Sequence, residues 1–217
     1  MTETERETSP MTSSDTLRDD LAFLRNLVAG SEQWLGGFGE GYFAAGLIYG
    51  TQMLLHAGQA LGLVPVIGWW PLAVGVGPTL VFIPVIVWIN WRHRRHGPAT
   101  PSGKAVTAVF GVAGLANFGL MAVVGAVALR ERSIATWLIY PCTVFILQGS
   151  AWLVAYALRR RAWFTWVSAG WYVSGVAMGF FVTNFGAYIL IAGLAIWVLM
   201  AGSGWVMMRS RSTAAAA

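Results

Sequence analysis

The chain has 217 residues, 57% hydrophobic and only 11% charged, with a formal net charge of +5. Soluble domains carry about 25% charged residues, so the composition excludes an ordinary water-soluble protein, and the length leaves no room for a soluble catalytic domain beside the apolar segments. The charge is segregated: residues 1–40 hold eight acids and three arginines, whereas the remainder holds eleven basic residues and one acid, Glu131.

Residues 1–14 are polar and acidic and are expected to be a disordered tail. They lack the apolar core of a signal peptide, so the first span is expected to act as its own uncleaved insertion signal. Within residues 15–30, Leu17, Leu21, Leu24 and Val28 recur at i, i+4, i+7 and i+11, one face of a helix. Ser14, Asp15 or Thr16 can cap it, and Gly30 is expected to end it. At about three to four turns it is too short to span, so it reads as an amphipathic interfacial helix, lying on headgroups or docked on the bundle.

Six stretches then meet or approach the ~20 apolar residues that cross a hydrocarbon core of roughly 30 Å. They are Phe38 to Leu63, Trp69 to Trp91 (with Pro71, Pro78 and Pro84), Ala105 to Leu129, Ile134 to Leu158, Ala162 to Thr183 and Ala187 to Met208. The predicted fold is therefore all-α: a polytopic membrane protein whose six transmembrane helices occupy 38–208, followed by a cytoplasmic tail over 209–217.

Orientation follows from Lys and Arg in the short loops. The loops after spans two, four and six carry nine, namely Arg92, Arg94, Arg95, Lys104, Arg159, Arg160, Arg161, Arg209 and Arg211; the opposite side carries Arg130 and Arg132. Both termini are thus expected in the cytoplasm, in a bacterial-type inner membrane. Trp69, Trp70 and Trp137 are expected at the outer boundary, and Trp88, Trp91, Trp163 and Trp166 at the inner one.

The spans also read as three tandem hairpins. Odd spans share a small-residue block: Ala45-Gly46 then Gly50, Ala113-Gly114 then Gly119, Ala169-Gly170 then Gly175. Even spans end in an aromatic-rich turn and arginine: Trp88 to Arg92, Trp152 to Arg159, Trp205 to Arg209. Small residues let membrane helices approach closely. This layout, from Phe38 to Arg211, resembles the small six-helix bacterial membrane proteins of the acid-resistance type, which are also read as glycine-rich hairpins ending in arginine. The chain departs from them in its acidic N-terminal extension and its 12 tryptophans. The resemblance carries no functional residue over to this sequence.

Polar groups inside spans are costly and mark candidate sites. Tyr42, Tyr49, Gln52, His56 and Gln59 form one stripe on the first span. Tyr49, Gln52, His56 and Gln59, with Asn117 and Gln148 as partners, make a candidate polar pocket or pathway; the competing reading is interhelical hydrogen bonding. Glu40 is expected to pair with a loop arginine or reach water. Arg92, Arg94, Arg95, Arg159, Arg160 and Arg161 read as binders of anionic lipid headgroups. No catalytic motif, metal cluster or cofactor signature is present: the lone Cys142 excludes a cysteine cluster, and His93 and His96 fall in a loop. The expected function is a non-enzymatic, accessory or stress-related membrane protein, with a small transporter or channel as the alternative. Membrane lipids are the expected partners, a homo-oligomer stays open, and nucleic acid is not expected.

Overall fold

A computed structural model describes residues 13–93 and 101–215, with side chains over 37–93 and 103–209. Its regular elements are all helical: α1 (Ser13–Ala60), α2 (Trp70–His93), α3 (Pro101–Glu131), α4 (Ile134–Arg159), α5 (Trp163–Phe180), α6 (Phe185–Ala195), a π-helical stretch (Ile196–Gly202) and α7 (Ser203–Ala215). Local sequence sets most of the ends. α1 stops at Gly62, whose φ of +72° suits a residue without Cβ. The Gly62 amide donates to Gln59 O (3.1 Å) and the Leu63 amide to Gly58 O (2.8 Å), a Schellman closure. Ser133 caps α4 by accepting from the Thr136 amide (3.2 Å), and Asn184 caps α6 by accepting from the Ala187 amide (3.2 Å).

Among the described residues, four stretches are long and apolar enough to cross a membrane: Trp70–His93, Gly103–Glu131, Ile134–Arg159 and Phe185–Arg209. Length and composition thus qualify four spans against the six expected. α1 is diluted by Gln52, His56 and Gln59, and α5 is only 18 residues long and rich in Trp and Tyr. A second departure concerns the separate helix expected over 15–30. α1 instead runs unbroken for 48 residues through Gly30. One interior glycine costs only about 1 kcal/mol, too little to stop a helix with good formers on both sides. At 1.5 Å per residue α1 is about 72 Å long, more than twice a hydrocarbon core. The proposed disorder of 1–14 falls almost wholly on residues outside those described.

α1 is the axis of the bundle. It lies antiparallel along α6, the π stretch and α7 through a row of glycines. A Cβ on Gly46 would stand 2.3 Å from the Ala201 amide nitrogen, and one on Gly50 would stand 2.9 Å from Trp197 Cα. The row extends on both strands of the seam: Gly39 faces Met207, Gly204 faces Phe43 and Gly193 faces Leu54. Where α1 presses on the π stretch, Ser203 Oγ donates to Leu199 O and to Met200 O, the latter at 3.2 Å. That hydroxyl satisfies carbonyls at the end of the widened turns.

α4 and α5 form a second close pair. Ser168 Oγ donates to Gly149 O (2.7 Å), and a Cβ on Gly175 would stand 3.1 Å from Cys142 O. Between the two pairs sits the aromatic core, with Trp152, Phe164 and Trp171 essentially inaccessible. Trp163, expected at the lipid boundary, stacks into this core against Trp152 (5.6 Å) and Phe164 (4.4 Å). α2 and α3 are peripheral, with only 11% and 6% of their apolar windows buried. α2 packs on α1 through Val74 and Ile89, and α3 packs mainly on α4.

The three small-residue blocks therefore differ in use. Those of α1 and α5 are packed, whereas Gly114 and Gly119 of α3 meet nothing. Gly46→Leu should lower the thermal midpoint in detergent markedly, because overpacking costs about 1–3 kcal/mol or more. Gly114→Leu should leave it near wild type; scanning fluorimetry of both variants is the test.

Candidate functional site

The polar stripe of α1 does not act as one unit. Tyr42 is buried at the level of Trp152, whose Nε1 donates to the phenol oxygen at 3.0 Å. The two rings also meet edge-on at 5.6 Å, and Phe110 closes over both. Tyr49, two turns further along, lies against Phe82 of α2 with ring centroids 5.2 Å apart. Gln52 is 8% exposed, and its Nε2 donates to Gly75 O of α2 at 3.0 Å. Pro78 lies three residues beyond, where the missing amide loosens the ladder of α2. Tyr42 thus fastens α1 to α4 and α3, and Tyr49 and Gln52 fasten it to α2.

Asn117 and Gln148 do not join the stripe. Asn117 accepts from Tyr140 OH at 2.7 Å and ties α3 to α4. Gln148 Oε1 is buried with no hydrogen-bond partner among the described residues. Interhelical bonding, the competing reading of the stripe, thus accounts for the geometry of Tyr42, Gln52 and Asn117.

His56 and Gln59 are different. His56 Nδ1 lies 3.0 Å from Gln59 Oε1. An amide oxygen only accepts, so the His56 Nδ1–H is the donor in this contact. Both side chains line an open cleft of about 520 Å³ with Met53, Ala60, Phe185, Gly186 and Ile189. It lies between the Gly62 end of α1 and the capped start of α6. Its walls are mostly apolar, and its polar groups are the His56 ring and the Gln59 amide, whose buried Nε2 has no hydrogen-bond partner among the described residues.

The charges lie further back along α1, at Glu40. Glu40 Oε2 pairs with Arg92 and, at 3.1 Å, with His93 Nε2, both at the end of α2. Arg92 also stacks over Trp88 at 4.7 Å, as Arg209 does over Trp205 at 4.9 Å. Glu40 thus meets a basic group of the α2 end. Of the remaining headgroup candidates, Arg160 is exposed and holds a left-handed φ of 54°, its amide closing α4 onto Tyr156 O at 2.7 Å. Arg159 is half-buried and Arg161 starts the turn into α5. Arg94 and Arg95 lie outside the described residues.

Two features escaped the sequence. One is the Tyr42–Trp152 bond, made between residues 110 apart in the chain. The other is the Tyr188 knot on α6: its OH donates to Leu138 O at 2.6 Å beside Cys142 Sγ at 3.7 Å. Pro141 marks that turn of α4 as irregular, although the carbonyl its missing amide frees is that of Trp137, next to Leu138. No family model, curated protein or solved structure matches this chain.

With Cys142 replaced by alanine, a cysteine at position 56 should react with a water-soluble maleimide, because the cleft is open there. A cysteine at position 52 should stay protected beneath α2. Fast labelling at 52, or protection at 56, contradicts the packing described.

Proposed function

We propose that the chain is a multi-pass protein of a bacterial-type inner membrane that crosses six times, with both termini cytoplasmic, and that its role is non-enzymatic and accessory. The observation that carries the topology is the pairing of each sub-threshold helix with a qualifying one. α1 runs beside Phe185–Arg209 from Gly39 to Leu61, and α5 runs beside α4 from Phe164 to Gly175. Helices that share a full-length seam share a depth. The basic residues Arg92, Arg159, Arg160, Arg161 and Arg209 then gather at one end, with Arg130 and Arg132 at the other, which favours the first end as cytoplasmic. The inner arginines are suited to anionic headgroups.

A non-enzymatic role is supported by how the intramembrane polar groups are used. Tyr42, Gln52 and Asn117 are engaged in joining helices. The alternative, a transporter with a path along α1, has in its favour the cleft at His56, but Tyr49 and Gln52 are sealed against α2 below it. The stress-related part of the reading rests only on the resemblance in glycine placement and terminal arginines.

Reporter fusions after positions 95, 132 and 161 should read inside, outside and inside. A periplasmic signal at 161 would remove α4 as a crossing and overturn the six-span topology.

A further inference from the structure

The turn between α3 and α4 borders an open cleft of about 490 Å³, a ligand-sized volume, on the side of the bundle away from the arginine clusters. Gly125, Ala128, Leu129, Ile134 and Trp137 make its apolar wall, and Arg132 stands at its mouth. Gly125 is what lets the indole close the wall: a Cβ there would sit 3.3 Å from the ring of Trp137. From Glu131 at the end of α3 to Gly125 the slot descends about 9 Å, at 1.5 Å per residue. It therefore reaches from the headgroup level into the acyl region.

The charge at the mouth is uncompensated. The one carboxylate near by, Glu131, is turned onto α4, where it accepts from Thr136 Oγ1 at 2.7 Å. Among the described residues no carboxylate pairs with Arg132. Arg132 sits at a left-handed turn, φ 52°, and is exposed. Ser133 Oγ is already used in capping α4. A peptide would find no backbone partners in such a slot, and a neutral lipid would leave the guanidinium to water. An acyl chain under a phosphodiester satisfies both parts.

We propose that the α3–α4 turn is a binding site for one anionic phospholipid of the outer leaflet, with its phosphate on the Arg132 guanidinium and the upper part of an acyl chain against Trp137 in the slot opened by Gly125. The site is separate from the inner arginines and from the His56 cleft. The outer-leaflet assignment rests on the proposed topology; the site itself does not.

The test uses the full chain in nanodiscs of phosphatidylglycerol or of phosphatidylcholine with the same acyl chains. Each is doped with a version of that lipid carrying a photoreactive group on the chain, and labelled peptides are mapped. Labelling within 125–137 should be about fivefold stronger from phosphatidylglycerol, the factor expected for one basic side chain near a lipid surface. Arg132→Gln should erase that preference, while Arg130→Gln, outside the cleft, should preserve it. Equal labelling by both lipids in the unaltered chain overturns the proposal, as does an equal loss in both arginine variants. Gly125→Leu, checked for folding by its thermal midpoint, should abolish labelling by either lipid. Persistent labelling with the slot filled also overturns it. Should that variant fail to fold, the two arginine variants decide the question alone. Fusion reporters at 132 address the leaflet independently.

Discussion

The bundle depends on backbone contact between α1 and the rod formed by α6, the π stretch and α7. In a bilayer, lipid tails are as apolar as leucine, so burial gives helices little reason to associate. Close packing has to do it, and close packing needs small residues on both sides. Gly39, Gly46 and Gly50 on α1, with Gly193 and Gly204 opposite, let the two backbones touch along the seam. The π stretch faces Gly46, where the contact is tightest, and Gly50. Its carbonyls are partly satisfied by Ser203, so the wider turns do not leave polar groups orphaned in hydrocarbon.

Side-chain hydrogen bonds then decide which neighbour lies where around that seam. Each crosses between two elements: Tyr42 with Trp152, Gln52 with Gly75, Asn117 with Tyr140, Ser168 with Gly149 and Tyr188 with Leu138. Such bonds average only about 0.6 kcal/mol in membrane helices, so their value lies in register more than in strength. α2 illustrates this. It is nearly all exposed to its surroundings, yet polar ties fix it at two levels, Gln52 near its start and Glu40 with Arg92 and His93 at its end.

Much of this is legible in the sequence, and the rest fails for identifiable reasons. The apolar runs locate α2, α3 and α4 to within a few residues. Periodicity also indicates that Gln52 faces inward. Glycine placement is ambiguous: the same block that packs in α1 is empty in α3, because a pattern of small residues does not say what stands opposite. Gly30 looks like a stop and is not one, since its cost is small against an otherwise favourable helix. Pairings such as Tyr42 with Trp152 depend on which helices become neighbours, and no single-helix pattern contains that.

The seam also sets the order of assembly. The glycine face of α1 finds its partner only in α6 and α7, synthesised after four intervening helices. α2 can join α1 at once, and α4 can close on α5 as a local hairpin. The first helix must nevertheless hold an unfilled groove of bare backbone until α6 and α7 arrive. Such long-range closure is slow compared with hairpin formation, and the open groove is a place where lipid, an insertion factor or a second nascent chain can lodge. Sequence changes near residues 186–209 therefore bear on the biogenesis of the N-terminal half as strongly as on their own segment.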